Sequence, residues 1–231
     1  MNKLTIIVTY YNAEEYITGC LESIKQQRTQ DFNLIIVNDG STDQSKKLMD
    51  EAIKDYDKNI RFIDLDENSG HAHARNIALE EVETPYFMFL DADDELASYA
   101  ITFYLEKFND TDGLIAPIHS FTTQRPQFVD LDRVRVEYFN AKGNINSFLR
   151  KQSACNIIFR TAIVKAHHIR FNENLNTYVD WSFVLEYMKY VNKFVRIFNF
   201  PFYFRGEVYD PFETLTLSEQ NFDILFKDYV N

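Results

Sequence analysis

Apolar and polar positions alternate along the first half of the chain in two different periods. "LTIIVTYY" (4 to 11) is an unbroken β-branched and aromatic run, the pattern of a strand covered on both faces. Tyr16, Ile17, Cys20, Leu21 and Ile24 follow at helical spacing, so the chain opens with a β-α unit. "FNLIIVND" (32 to 39) repeats the strand signal, and "GSTDQS" supplies turn and capping residues for a helix over 43 to 56. "IRFIDLD" (60 to 66), a helical stretch over 70 to 82 and "YFMFLD" (86 to 91) continue the series. Strands alternating with helices predict an α/β fold, Rossmann-like, with a mostly parallel sheet flanked by helices and right-handed crossovers.

Beyond Asp94 the periods loosen. The pattern predicts a helix over 98 to 108, a strand "GLIAPI" (113 to 118) and an irregular basic stretch to 152. Helices over 161 to 167 and 180 to 191 follow, then a strand-like "KFVRIFNFPFYFR" (193 to 205). The terminal pattern "LSEQNFDILFKDYVN" is helical and lacks a C-cap signal, so the chain is expected to be one module, the N-terminal one, of a longer protein.

Charge changes this picture more than composition does. No apolar stretch approaches the roughly 20 residues of a membrane-spanning helix, and "MNKLTIIVTYYNAEEY" turns polar too early for a signal peptide. A cytoplasmic location is the default expectation, with Cys20 and Cys155 reduced core residues outside any disulfide or zinc site. Residues 1 to 115 hold 10 Lys and Arg against 23 Asp and Glu, a net of -13, whereas residues 116 to 231 hold 14 against 12, a net of +2. The overall -11 argues against general nucleic-acid binding. Between 125 and 170, however, nine bases (Arg133, Arg135 and Lys151 among them) face three acids, a local island of +6 that reads either as a solvated surface or as an anion-binding strip.

In parallel α/β sheets ligands bind at the carboxyl ends of the strands. Three such ends carry acids here: Asp39, the pair Asp64 and Asp66, and the cluster Asp91, Asp93, Asp94 and Glu95. One acid alone is commonly just a helix cap; their repetition along one edge marks an active-site face. A helix-loop-helix calcium loop starting at Asp91 would need Gly and an acid where Leu96 and Thr102 stand. A doubly wound phosphatase would carry its aspartate pair after the first strand instead of the fourth. The remaining explanation is a hard-cation site, in which carboxylates hold Mg2+ or Mn2+ and phosphate oxygens complete the coordination.

"TIIVTYYNAEEYITGCLESI", "LIIVNDGSTDQS", "NSGHAHARNIAL", "YFMFLDADDEL" and "FNENLNTYVDWSF" stand in the order and spacing of the family 2 glycosyltransferases, and over residues 3 to 205 the chain resembles that family. The resemblance implies inverting sugar transfer on a GT-A fold, residues 1 to 112 forming a nucleotide-sugar-binding half and residues 113 to 231 an acceptor-binding half of the same domain. Matched motif by motif, Thr9, Tyr11 and Asp39 resemble the pocket for the nucleotide base, and Asn68 a further donor contact. Arg75 looks like the cation near the diphosphate or ribose, Asp91 like the residue facing ribose and metal, and Asp93 like the direct metal ligand. Asp180 of "VDW" matches the general base, while Asp94, Trp181 and Arg205 fall on the acceptor side, with Asp94 a further candidate for the metal and Glu95 a helix starter.

Each residue also has a plainer reading: Asp39 as a turn residue, Arg75 on a helix surface, Asp180 as an N-cap, Trp181 as packing. His71 and His73, two apart, do not share a helix face and do not read as a zinc pair. Three departures from the family pattern stand out. Val179 replaces the acid before the base, Thr9 replaces a proline, and "FYFRGEVYDP" lacks the histidine that can complete the metal site, leaving Glu207 or a residue further on to take that place.

The implied function is a metal-dependent transferase, using Mn2+ or Mg2+, that moves a sugar from a UDP-sugar to a hydroxyl of a cell-surface polymer or its precursor. The basic island adds a phosphate-bearing acceptor such as teichoic acid, and with it peripheral association at the inner face of the membrane. Two competing readings are a non-catalytic nucleotide-sugar- or glycan-binding module of a larger synthase and a nucleotidyltransferase, which would release pyrophosphate in place of UDP.

Overall fold

The computed structural model describes residues 2–56, 59–107, 110–120, 133–140, 153–175, 177–198 and 202–206. Strand β1 (Leu4–Tyr10) lies between β2 (Phe32–Asn38) and β4 (Tyr86–Asp91), parallel to both, and β3 (Ile60–Asp64) pairs with the far side of β2. The unbroken apolar runs are the strands buried on both faces: every residue of β1 except Thr9 and every residue of β2 except Asn33 is buried. No position of β3 is fully buried, as befits the end of the sheet. Helices α1 (Ile17–Lys25), α2 (Ser45–Ile53) and α3 (His71–Glu80) fill the connections between successive strands, α1 burying the Ile17, Cys20, Leu21 and Ile24 stripe that its spacing predicts.

The second half of the chain extends the same sheet. Its order is β3-β2-β1-β4-β9-β6-β10-β8, with β9 (Ile157–Arg160) antiparallel between β4 and β6 (Gly113–Ile115). Beyond them β10 (Phe194–Ile197) runs parallel to β6, and β8 (Val136–Phe139) antiparallel to β10. A smaller sheet joins β5 (Glu95–Leu96), β11 (Tyr203–Arg205) and β7 (Ile118–Ser120). The remaining described helices are α4 (Ala100–Lys107), α5 (Thr161–Ala166) and α6 (Val179–Met188).

The structure differs from the pattern in several places. "GLIAPI" splits into β6 and β7, which belong to different sheets; Pro117 between them has no N–H with which to continue a ladder. The stretch 193 to 205 likewise divides into β10 and β11. The basic stretch read as irregular contains β8, and β9 escapes notice because its four residues run straight into α5. Glu95 does not start a helix but pairs with Phe204 across β5 and β11. Four of the nine bases of the island (Arg125, Lys142, Arg150 and Lys151), Glu207 and the terminal helical pattern lie outside the described residues.

An aromatic cluster fills the space beneath the junction of the two halves. Phe171 stacks on Phe183 at 4.1 Å between ring centroids, Phe89 meets Phe171 edge-on at 5.2 Å, and Phe87 stacks on Phe159 at 5.3 Å. This cluster is the floor on which Arg75 rests.

Candidate active site

At the carboxyl ends of β1, β2 and β3 the loops bind one another through polar atoms. The Asp39 N–H donates to the Tyr10 carbonyl at 2.9 Å, and the Leu65 N–H to the Asn38 carbonyl at 2.9 Å. Asn12, at φ 47°, donates its N–H to Ser41 Oγ at 3.0 Å, while its Oδ1 accepts from the Thr42 N–H at 2.8 Å. Gly40 has φ 65°, and a Cβ there would stand 2.6 Å from the Asn68 nitrogen, so glycine is required twice over. That close approach brings the turn after β2 against the turn after β3. Asp39 is buried and accepts the Ser69 N–H at 2.8 Å, so it is more than an exposed turn residue. Thr9, the 45 % exposed Tyr11, Asp39 and the exposed Asn68 thus share one rim.

The acids at the end of β4 lie next along the edge. Ligand oxygens of Asp91, Asp93 and Asp94 fall within 4.8 Å of one another. Asp94, expected at the acceptor side or on the metal, is 1 % exposed and engaged by protein donors: Tyr203 Oη gives its proton to Oδ2 at 2.5 Å, and the Gly206 N–H gives to Oδ1 at 2.8 Å. Tyr203 Oη in turn accepts the Asp91 N–H at 3.3 Å, so β11 hangs from the end of β4 through this acid. Burial, reinforced by the neighbouring Asp91 charge, pushes the Asp94 carboxyl up to about 7 and raises Asp93 as well. Asp93 accepts a hydrogen bond from its own backbone N–H. The donor set therefore fits a hard divalent cation: oxygen ligands only, crowded carboxylates whose repulsion a cation would relieve, and Asp93 with Asp91 as the ligands still available.

Arg75 of α3 joins these acids to Asp180. Its Nη2 donates to Asp91 Oδ1 at 2.7 Å, and its Nη1 donates to Asp180 Oδ1. The side chain is 5 % exposed, against 32 % for Asp91 and 24 % for Asp180, so it is no surface helix residue. Asp180 is the second residue of α6, whose N-cap is Tyr178, so it is not the cap either. Its Oδ2 accepts from Ser153 Oγ at 3.2 Å and the Ala154 N–H at 3.0 Å. Burial alone would raise its pKa; the Arg75 charge and the Ala154 N–H outweigh burial and hold it below the usual carboxylate range. Trp181 is buried, its ring 5.9 Å from that of Tyr178, and Arg205 stands on β11 within electrostatic reach of Asp94 and Asp91.

His71, which the sequence pattern does not single out as a site residue, lies beside these groups. It opens α3 one turn before Arg75, solvent-exposed, and it feels the charges of Arg75, Asp180, Asp91 and Asp39. Although part of the ring is open to solvent, the protein packed around the rest of it and then the Arg75 charge lower its pKa. The signal was its spacing of four from Arg75, which puts both on one helix face.

A sheet of this order with a carboxylate cluster at one edge, a polar rim and a half-buried aspartate beside it defines a transferase of the GT-A type. The chain belongs to glycosyl transferase family 2, whose sequence model matches residues 5–168. Over all 231 residues it is 99% identical to a teichoic acid poly(glycerol phosphate) polymerase of Staphylococcus epidermidis. It is 28% identical over 204 residues, 80% of the chain, to the poly(ribitol-phosphate) beta-N-acetylglucosaminyltransferase TarS of Staphylococcus aureus. The chain spans 32% of the length of each of these two relatives. A crystal structure of S. aureus TarS 1-349 in complex with UDP-GlcNAc superposes with a TM-score of 0.77 over 97% of this chain and 64% of that one, at 23% identity. A mannosyltransferase of Pyrobaculum calidifontis in complex with GDP-Man and Mn2+ superposes with a TM-score of 0.65 over 90% of this chain and 57% of that one, at 16% identity. Both likenesses are of fold. Among the described residues no helix is long and apolar enough to cross a membrane.

Proposed function

We propose that this module moves a sugar from a nucleotide-sugar donor, a UDP-sugar in the first instance, to a hydroxyl of a phosphate-bearing cell-wall polymer, with inversion at the anomeric carbon. The observation that carries this reading is the Asp91–Arg75–Asp180 bridge, which brings a candidate base and a candidate cation edge into one cleft. The names of the two relatives, both concerned with phosphate-containing polymers, support the acceptor class. In this reading Thr9, Tyr11, Asp39 and Asn68 hold the nucleotide, Asp91 and Asp93 hold Mn2+ or Mg2+, and Trp181 and Arg205 border the acceptor. Asp180 accepts the proton of the attacking hydroxyl, a contribution of about 10²–10⁴-fold. A bound cation supplies charge neutralisation for the departing diphosphate. The proposed place of action is the cytoplasmic face of the membrane, where such an acceptor grows.

UDP release from UDP-sugars with Mn2+, with poly(glycerol phosphate) or poly(ribitol phosphate) as acceptor, tests the reading. Asp180→Asn should lose about 10²-fold or more in turnover while UDP affinity stays within about threefold. No acceptor-dependent release from the wild-type protein, across UDP-, GDP- and dTDP-sugars, would reject it.

A second reading, a non-catalytic nucleotide-sugar- or glycan-binding module, is favoured by Val179, a buried apolar residue where the family pattern has an acid. The S. epidermidis relative also bears the name of a polymer joined by phosphodiesters, whose growth is not sugar transfer. UDP binding with equal silence of the wild type and Asp180→Asn in turnover selects this second reading.

A further inference from the structure

Both terminal nitrogens of Arg75 are committed to protein groups. Nη1 donates to Asp180; Nη2 donates to Asp91 at 2.7 Å and to Cys155 Sγ at 3.4 Å. The guanidinium carbon lies 5.3 Å from the Phe89 ring centroid and 5.2 Å from that of Phe171, two rings whose own centroids are 5.2 Å apart, so an aromatic wall closes one side of the group. Nε is buried, with no hydrogen-bond partner among the described residues, and is not turned to solvent. A guanidinium that grips a diphosphate presents an N–H edge to the ligand, and this one is closed off from the cleft.

The neighbouring residues of α3 anchor the same seam. Asn76 Nδ2 donates to the Phe171 carbonyl at 2.9 Å, the Phe171 N–H returns a bond to Asn76 Oδ1 at 2.9 Å, and Nδ2 also reaches Glu173 at 2.7 Å. His73 Nδ1 meets the other oxygen of Glu173 at 3.1 Å. Phe171 is therefore held in register by Asn76 while it covers the face of Arg75.

We infer that Arg75 is a positioning residue and not a donor ligand: it clamps Asp180 of α6 to Asp91 of β4 and so fixes the acceptor-side carboxylate relative to the cation edge. The inference deepens the glycosyl-transfer reading and rests on it for its kinetic arm. The charged and titratable groups around Asp180 are Arg75, His71 and, through Arg75, Asp91 and Cys155.

The test compares wild type, Arg75→Lys, Asp180→Asn and the double variant by UDP calorimetry and by UDP release. Lysine keeps the charge but cannot bridge two carboxylates. The expected result is UDP affinity and donor KM within about threefold of wild type, with kcat down about 10²-fold. In the Asp180→Asn background the same change should cost under about threefold, since the group being positioned is already gone. A fall in UDP affinity that matches the fall in kcat/KM, or full additivity in the double variant, overturns the inference.

Two further readouts need no turnover. The Asp180 carboxyl carbon signal, assigned by its loss in Asp180→Asn, should titrate at higher pH in Arg75→Lys than in wild type; an unmoved signal overturns the inference. In the wild-type protein, saturating UDP with Mg2+ should leave the Arg75 Nε–H resonance in place, and a large shift would make Arg75 a ligand after all. A wild type silent in turnover but obeying both spectroscopic expectations removes the glycosyl-transfer reading and keeps the clamp.

Discussion

The two stretches of the active edge are built in opposite ways. On the nucleotide-side rim, Asn12, Ser41, Thr42, Glu14 and Gln44 exchange single hydrogen bonds between exposed loops, as in the 2.9 Å bond from the Gln44 N–H to Glu14. At the inner stretch one buried guanidinium serves two carboxylates against a wall of aromatic rings. Water replaces a lost rim bond, so each is worth only about 0.5–1.5 kcal/mol. Nothing replaces the guanidinium, because a buried charge left without its partner costs several times more. The rim can adjust bond by bond to a ligand; the inner stretch holds as a unit.

The contrast can be broken most sharply at Arg75. Arg75→Met should lower unfolding free energy in urea at pH 7 by about 3–5 kcal/mol, the cost of stranding buried charges. Asp180 sharpens this expectation through pH: its folded-state pKa is lowered, so its contribution is present above the ordinary carboxylate value and is lost as pH falls through the lowered one. That acid-side loss should shrink in Arg75→Met. A destabilisation under about 1 kcal/mol would erase the distinction between the two stretches.

A middle-sized effect is expected where the rim is rigid. Gly40→Ala forces a side chain into φ 65° and against the Asn68 backbone, at a cost of about 1–3 kcal/mol. A thermal melt should show several degrees lost, and UDP titration a weaker affinity; unchanged values would mean that the two turns part freely. The smallest effect belongs to Ser41→Ala, which removes one exposed bond to the Asn12 N–H and should cost at most about 1 kcal/mol. A larger loss would show the rim to be as cooperative as the interior.

The first half of the fold is legible in the sequence because its strands are long and doubly covered, so that "LTIIVTYY" and "FNLIIVND" stand out from the helical stretches between them. The second half is not. β9 is four residues long and passes into α5 without a turn, and the strand assignment depends on pairing to β4 and β6 that no local pattern records. The split of 193 to 205 between two sheets is likewise a tertiary decision. The acids of the site announced themselves by position, but their partners did not. Spacing places Arg75 on a helix, yet only the position of Asp180 at the start of α6 reveals what it grips, and only the return of β11 reveals that Asp94 is held by Tyr203 and Gly206.

The rings of Phe89 and Phe171 have one more effect. Lys46 and Asp64, paired at 2.7 Å on the rim with side chains 49% and 50% exposed, stand in the ionic atmosphere of the solvent, and their attraction fades as its concentration rises. The aromatic faces keep that atmosphere away from Arg75. Between dilute buffer and the crowded electrolyte of a cell, the spacing of Asp91 and Asp180 is thus insulated from ionic strength, while the outer rim is left to respond to it.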